Sequence, residues 1–361
     1  MKKVLIFSVE YPPKCGGAGN VAFDTANKLI KLGYTVDILT NKKACVQRSC
    51  KFLSVRQLPI FFPLQYGYEL LKVINNYNTI ILNDLGAALT ACIFLNKQYM
   101  KKTIVFLQGS EPEKVYISPQ YGFRLIGFSN KYTRLLAQCR RIICVSEFMK
   151  EKIMSVVPEI DSHQFRVVHS GVDRTVFYPE QTDLKRIHNI NKDTKIIFTA
   201  SRIVKQKGYL EMYDIFKRLI EAGKNYVWII AGDGIYKEEL QEHIQIDGFC
   251  NRIIFVGNLR SDKLRQYYSV ADVFVLLSKF KEAYGLVYLE ALMCGTPVIG
   301  LNLGGTKEVI KTGKNGFLVE NEQECLNVLK HEEYKRITSE MIRDSLPNYE
   351  NEFMELVNAL L

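Results

Sequence analysis

The chain has 361 residues, of which 47% are hydrophobic, and a formal net charge of +10. This length predicts two or three soluble domains with sizeable cores. The charge favours an anionic lipid or a phosphorylated ligand over nucleic acid, because no run of five basic residues occurs. Nine cysteines without a Cys-x-x-Cys pair, and five scattered histidines, indicate reduced thiols in a cytoplasmic chain and no metal site.

Short β-branched segments alternate with helical patterns from the start of the chain. The opening "KKVLIFSV" predicts a strand, since its apolar run is too short for a signal peptide. A helix ending at Gly33 and the strand "YTVDILT" follow, and further strands are predicted at "TIILN", "TIVFLQ", "RIICVS" and "FRVVHSG". The segment "TIILNDLGAALTACIFL" is interrupted by Asn83 and Asp84, so we predict no transmembrane span.

A second series of strands begins after a polar connector at residues 171–194. It comprises "KIIFTAS", "YVWIIAG", "RIIFVG", "DVFVLL", "TPVIGL" and "GFLV", again separated by helices. Such alternation builds parallel sheets covered on both faces, with ligands at the carboxyl ends of the strands. We therefore predict two doubly wound Rossmann-like α/β domains, 1–172 and 173–346. The last helix, 347–361, either caps the second domain or returns to the first.

Two glutamates stand in the otherwise apolar segment "KFKEAYGLVYLEALMCGTPVIG". The helix here is predicted to begin near residues 283–285 and to end at Gly295. With Gly285 at its start, its free N–H groups suit an anion, and Glu290 lies where it can accept hydrogen bonds from nearby hydroxyls. Glu282 stands at the mouth of the helix. The alternative is an ordinary N-terminal charge and a solvated edge residue.

Two further segments carry phosphate-binding features. In "TASRIVKQKG", Arg202 and Lys207 lie at the carboxyl end of a strand and before a helix, which suits a diphosphate. In "EYPPKCGGAGNVA", Gly16 and Gly17 permit close approach of a ligand to the backbone. "GAGNVA" also matches the dinucleotide fingerprint, but it lies too far from the first strand, and the second strand lacks the acidic residue that an NAD enzyme needs.

Together these segments resemble the family 4 glycosyltransferases, and the similarity extends over nearly the whole chain. "SRIVKQKG" and "EAYGLVYLEALMCGTPVIG" match the family's motifs in order and spacing, as do "VSEFMKEKI", "VVHSGVDRTVF" and the early Pro-Pro and Gly-Gly loop. The resemblance implies the GT-B fold, an α/β architecture in which two Rossmann-like domains face each other across a cleft.

The resemblance also implies a role for each matching residue. Arg202 and Lys207 would hold the diphosphate of a nucleotide sugar, Glu290 the ribose hydroxyls and Glu282 the transferred sugar. The whole set expected at the donor is Gly16, Gly17, Arg202, Lys207, Glu282, Tyr284, Gly285, Leu286 and Glu290, and the set expected to support catalysis is Glu282, Arg202 and Lys207.

The implied activity is that of a retaining, metal-independent glycosyltransferase without a further cofactor. Its donor would be a UDP-, GDP- or dTDP-sugar, and its acceptor a glycan or a lipid-linked glycan in polysaccharide, lipopolysaccharide or capsule synthesis on the cytoplasmic side of the membrane. Two alternatives stay open: a nucleotide-sugar epimerase or phosphorylase on the same scaffold, and a nucleotide-sugar-binding protein without turnover.

The chain departs from the family at Gln108, where a histidine is frequent. Glutamine exchanges hydrogen bonds but cannot act as a general base. Glu111 and Glu113 nearby then become candidates on the acceptor side, against the alternative that they belong to a solvated loop.

A basic aromatic segment, "QYGFRLIGFSNKYTRLLAQCRR", is the candidate for peripheral binding to an anionic membrane. The alternative is a partly buried helix with ordinary basic edges. Its cations are Arg124, Lys131, Arg134, Arg140 and Arg141.

Overall fold

The computed structural model describes residues 2–12, 17–42, 50–56, 58, 61–169, 171–347, 353–354 and 357. The chain divides into two compact units, residues 1–170 with 348–361, and residues 171–347. Each unit is built on one parallel sheet.

The first unit contains a sheet of seven strands in the order β3-β2-β1-β4-β5-β6-β7. The strand order reverses between β1 and β4, which pair directly with each other. The strands are β1 (Lys3–Phe7), β2 (Thr35–Asn41), β3 (Lys51–Val55), β4 (Thr79–Leu82), β5 (Thr103–Leu107), β6 (Arg141–Cys144) and β7 (Phe165–Val167). The sequence predicted all of them except β3, a short strand at the sheet edge that, among the described strands, pairs only with β2 and has mostly exposed or half-buried side chains.

Seven α-helices belong to this unit in the part of the chain that the structure describes. Their faces are amphipathic: α1, for example, buries Ala22, Ala26 and Leu29 at the spacing of one helical face. The helices are α1 (Gly17–Lys31), α2 (Phe62–Val73), α3 (Leu85–Phe94), α4 (Lys97–Met100), α5 (Tyr121–Leu125), α6 (Phe128–Gln138) and α7 (Glu147–Met154).

The basic aromatic segment forms two helices, α5 and α6, which are separated by Gly127 in the left-handed conformation with φ +58°. Helix α6 buries Phe128, Tyr132, Leu135 and Leu136, whereas α5 buries no residue. The aromatic side chains of α6 therefore belong to the core of the unit, and its cations lie on the outer edge.

The end of the chain contributes to the first unit. Phe353 and Val357 are buried among the core residues of that unit, and the Lys28 ammonium group of α1 lies 5.2 Å from the centre of the Phe353 ring. Lysine over an aromatic face is a favourable contact.

The second unit has six parallel strands in the order β10-β9-β8-β11-β12-β13, with the reversal between β8 and β11. All six follow the predicted series: β8 (Lys195–Ala200), β9 (Tyr226–Ala231), β10 (Ile253–Gly257), β11 (Val273–Leu276), β12 (Val298–Leu301) and β13 (Gly316–Val319). The helices are α8 (Leu184–Ile187), α9 (Tyr209–Glu221), α10 (Lys237–Ile246), α11 (Ser261–Val270), α12 (Leu286–Met293), α13 (Thr306–Val309), α14 (Glu322–Lys330) and α15 (Ser339–Ser345). In the part of the chain that the structure describes, no helix has the length and apolar character needed to span a bilayer.

Candidate active site

The second sheet brings most of the predicted donor residues to one edge. Strands β8 and β11 pair directly, so the loops that follow them leave the sheet side by side. The first of these loops carries Arg202 and Lys207, and the second leads through Glu282 to the start of α12. In open α/β sheets this point of reversal, at the carboxyl ends of the strands, is where ligands bind.

Lys207 and Glu282 form an ion pair between these two loops. The Ser278 hydroxyl donates a 2.8 Å hydrogen bond to the same carboxylate oxygen that the lysine contacts. The two charged side chains are only 15% and 17% exposed. A pair so little exposed needs both partners, because removing one leaves a poorly solvated charge.

The loop that carries Lys207 is docked on the end of β11 by its backbone. Gly208 has φ +72°, and a Cβ atom there would lie 2.1 Å from the Leu277 carbonyl oxygen. The Lys279 N–H donates to the Gln206 carbonyl at 2.8 Å. Only glycine fits at position 208, and this explains why a glycine directly follows Lys207 in the motif.

Arg202 lies on the same loop and is exposed. No ion pair is found for its guanidinium among the residues described here. The backbone around it is held by the loop after β9, since the Ile203 N–H donates to the Asp233 carbonyl at 2.9 Å. A Cβ atom at Gly232 would lie 1.9 Å from the Ser201 carbonyl oxygen. This glycine was not predicted as a site residue, although the Gly-Asp-Gly sequence directly after a strand was a signal for it.

The N-terminus of helix α12 is uncapped. Gly285 precedes it in the left-handed conformation with φ +98°, and no side chain caps its first turn. The N–H groups of Leu286 and Val287 therefore lack intrahelical acceptors and can receive an anion, whereas the Tyr288 N–H donates to the Gly285 carbonyl at 3.1 Å. The side chain of Tyr284, the residue before Gly285, is buried, at 3% exposure.

A pair of glycines that the sequence analysis missed supports the Glu282 loop. The Gly305 N–H donates to the Glu282 carbonyl at 2.8 Å. A Cβ atom at Gly304 would lie 2.6 Å from that same oxygen, and one at Gly305 would lie 2.2 Å from the Ala283 oxygen. The Gly-Gly sequence shortly after β12 was the signal by which these residues could have been predicted. The two glycines allow the backbones of the two loops to come into direct contact.

Glu290 belongs to a second polar pair, formed by α11 and α12. The Tyr268 hydroxyl donates a 2.9 Å hydrogen bond to its carboxylate. Burial raises the pKa of Glu290 to about 7, against the opposing effect of the Tyr268 hydrogen bond. This carboxyl group is therefore poised between its neutral and charged forms near neutral pH.

The sequence predicts two donor-binding glycines in the first unit, Gly16 and Gly17. Gly16 lies outside the described residues, and Gly17 begins α1. Among the described residues, a Cβ atom at Gly17 would meet nothing within 4 Å.

Gln108 is held by a network at the carboxyl ends of β4 and β5. Its amide Nε2 donates to the Asn83 Oδ1 at 3.1 Å. Asn83 is fully buried and donates in turn to the Ser8 hydroxyl at 3.0 Å and to the Ala18 carbonyl at 2.8 Å. In the sequence Asn83 stands out only as an interruption of an apolar run, whereas in the structure it orients Gln108.

Glu111 does not belong to a solvated loop. It is 3% exposed, and its two carboxylate oxygens accept the N–H groups of Gln108 at 2.9 Å and Gly109 at 2.7 Å. Burial raises the pKa of Glu111, while these N–H donors lower it. Glu111 thus shapes the backbone around Gln108, and Glu113 forms an ion pair with Lys152.

Asp84, like Glu111, is a carboxylate that binds backbone N–H groups, here at the end of β1. One carboxylate oxygen accepts the Ser8 hydroxyl at 3.0 Å and the N–H groups of Val9 at 2.6 Å and Glu10 at 3.1 Å. The other oxygen caps α3 by accepting the Ala87 N–H at 2.8 Å. Burial raises the pKa of Asp84, and the hydrogen bonds oppose this effect.

Comparison with known proteins identifies the family of this chain. Residues 15–176 match the family model described as Glycosyltransferase Family 4, and residues 180–329 match Glycosyl transferases group 1. The N-acetyl-alpha-D-glucosaminyl L-malate synthase of Bacillus anthracis is 25% identical over 355 residues, covering 92% of this chain and 90% of that protein. An uncharacterised glycosyltransferase of Methanocaldococcus jannaschii is 30% identical over 196 residues, 52% of this chain, and the match spans about half, 49%, of that relative.

The fold has close counterparts among solved structures. Anabaena HepE, solved in complex with UDP-glucose, superimposes with a TM-score of 0.80 at 18% identity, over 100% of this chain and 99% of that chain. At that identity the likeness shows the fold alone, a two-domain α/β GT-B architecture. Since the two family models together run through most of the sequence, the chain belongs to the family 4 glycosyltransferases.

Proposed function

We propose that the chain is a retaining glycosyltransferase that transfers a sugar from a nucleotide-diphosphate sugar to a glycan or lipid-linked acceptor. The observation that carries this proposal is the Lys207–Glu282 pair at the reversal of the second sheet. A cation and a carboxylate held side by side there offer one group to a diphosphate and the other to the hydroxyls of a sugar.

The donor would be distributed over the elements around this edge. Lys207 and the exposed Arg202 would bind the diphosphate, together with the uncapped first turn of α12. Glu282 would accept hydrogen bonds from the transferred sugar, and Glu290 from the ribose. The family suggests this distribution, and the loop geometry supports it because both loops leave the sheet at the same point.

The reaction breaks the bond between the sugar carbon and the diphosphate, so negative charge grows on the departing phosphate oxygens. Preorganised cations and N–H groups stabilise that charge, each contributing about 10²- to 10³-fold in rate. Because Arg202 and Lys207 can supply this stabilisation, we propose that the reaction needs no divalent metal. If the diphosphate binds Lys207 in place of Glu282, the hydrogen bond from the Ser278 hydroxyl would still hold the Glu282 carboxylate in position.

The acceptor is proposed to be part of an envelope glycan, such as a lipopolysaccharide or capsule precursor on the inner face of the membrane. The positive charge of the chain supports an anionic acceptor or an anionic surface. Retention of the anomeric configuration is what family membership suggests, and proton NMR of the product anomer would test it.

Two measurements test the proposal. The melting temperature should rise with one member of a panel of UDP-, GDP- and dTDP-sugars, because a ligand that binds the folded state stabilises it by mass action. Free nucleoside diphosphate should then appear only when an acceptor is supplied. Its release without any acceptor would contradict strict transfer, a changed sugar without release would indicate an epimerase, and binding without turnover would indicate a non-catalytic protein.

A further inference from the structure

The positive charge of the protein is concentrated in one of the two units. Residues 1–170 with 348–361, the first unit, contain 23 Lys and Arg against 14 Asp and Glu, a net charge of +9, whereas residues 171–347 contain 25 against 24, a net charge of +1. The cations proposed to bind the donor phosphates lie in the second group. The charge of the first unit therefore needs a different explanation.

Helix α2 in this unit has an apolar stripe on its outer face. Phe61, Leu64, Tyr68 and Leu71 are 57%, 56%, 62% and 43% exposed. They follow one another at intervals of three and four residues, which places them on one face of the helix. The opposite face is already packed, since Tyr66, Gly67 and Leu70 are buried. The stripe is thus a second, largely exposed apolar face, whose recorded contact among the described residues is the Lys72 ammonium group 3.8 Å from the centre of the Tyr68 ring.

The stripe continues into a layer of helices on the same unit. Helix α2 packs against α3, α3 against α6, and α6 against α5. We call these four helices the helical layer. Its further exposed apolar side chains are Ile93 of α3 and Tyr121 and Leu125 of α5, at 44%, 77% and 69% exposure.

The helical layer is basic as well as apolar. The exposed cations on its four helices are Lys72, Arg124, Lys131 and Arg134. Glu69 is the single acidic residue on these helices, and Lys72 pairs with it. Aromatic and aliphatic side chains bordered by lysine and arginine are the composition of surfaces that lie in the headgroup region of anionic bilayers.

We propose that the helical layer docks on an anionic lipid surface, with the α2 stripe inserted among the headgroups and the cations of α5 and α6 contacting them. A second copy of the chain fits this surface less well, because an isologous contact would bring the same cations against one another. This docking rests on the proposed function, since a lipid-linked acceptor would be presented at that surface.

Flotation with vesicles tests this docking. Wild-type protein should float with vesicles that contain phosphatidylglycerol at low salt, and not with phosphatidylcholine alone or at high salt. The double substitution Leu64→Gln, Tyr68→Gln should lower the floated fraction roughly tenfold, because it removes the inserted apolar groups. The matched control is Ile235→Gln, Ile246→Gln, which removes two more exposed apolar side chains, 96% and 81% exposed, from the second unit and should float like the wild type.

Three outcomes would overturn the docking proposal: no flotation of the wild type, equal flotation of the α2 variant, or an α2-dependent dimer in sedimentation without flotation. The donor-induced rise in melting temperature is measured on the same proteins. A wild type that responds to the donor but does not float refutes only the docking surface. One that floats without responding to any donor refutes only the donor site.

Discussion

The Lys207 ammonium group is neutralised by the Glu282 carboxylate, although 75 residues separate them in the chain. The pair exists because the loops after β8 and β11 leave the second sheet next to each other. A diphosphate bound at this edge would compete with Glu282 for the lysine. The pair would therefore couple the binding of the donor phosphates to the position of the carboxylate proposed to contact the sugar.

Lys207→Ala should abolish most of the transfer while the protein still folds. We expect a loss of about 10²- to 10³-fold in kcat, because one cation at the leaving group is removed. The unpaired Glu282 should lower the free energy of unfolding by about 1–3 kcal/mol, measured by urea denaturation. Lys205→Ala is the matched control, since Lys205 lies in the same turn but is exposed and forms no ion pair among the described residues. Full activity of the Lys207 variant would refute its role.

The Glu290 carboxyl should make the stability of the protein depend on pH. Its pKa is 4.5 without the fold and about 7 within it. Between these values the folded state binds the proton and the unfolded state does not, so stability falls as pH rises from about 4.5 to about 7. The full effect is at most about 3 kcal/mol. Glu290→Gln should flatten this part of the profile in melting curves recorded from pH 5 to 8.

The same titration should appear in donor binding. In the proposed site, ionised Glu290 would accept hydrogen bonds from the ribose hydroxyls more strongly than the neutral acid would. Donor affinity should therefore rise through about pH 7 in the wild type and stay level in Glu290→Gln. Tyr268→Phe serves as the comparison, because losing the Tyr268 hydrogen bond should move the midpoint to higher pH. A midpoint that is the same in all three proteins would exclude Glu290 as the titrating group.

Gly208→Ala should damage both stability and activity, and Gly223→Ala separates the two causes. Both glycines have nearly the same left-handed conformation, with φ +72° and +73°, but only Gly208 has the Leu277 backbone in the space that a Cβ atom would occupy. Backbone strain alone should cost Gly223→Ala about 1–2 kcal/mol. Gly208→Ala should cost roughly 1–3 kcal/mol more and reduce transfer, because the Lys207 turn must move away from β11. Equal losses in the two variants would show that the close approach is unimportant.

The fold was predictable from sequence because buried parallel strands appear as β-branched runs. Strand β9, for example, has six buried residues in "YVWIIA". Strand β3 escaped prediction because an edge strand with exposed side chains lacks this pattern. At the site, motif spacing pointed to Arg202, Lys207 and Glu282. It did not predict the Lys207–Glu282 pair or the contact of Gly304 with the Glu282 loop, since these join segments that only the strand order brings together.

Gln108 provides the last test, on the acceptor side. Asn83 accepts one Gln108 amide N–H, so the amide carbonyl oxygen and the second N–H would be available to exchange hydrogen bonds with an acceptor hydroxyl. Gln108→Ala should raise the KM for the acceptor and lower kcat/KM roughly 3- to 10-fold, the worth of one hydrogen bond. The donor-induced rise in melting temperature should not change. Asn83→Ala should have the same effect through loss of orientation, whereas Gln120→Ala, an exposed glutamine before α5, should have none. Loss of donor binding in Gln108→Ala would instead place this residue at the nucleotide sugar.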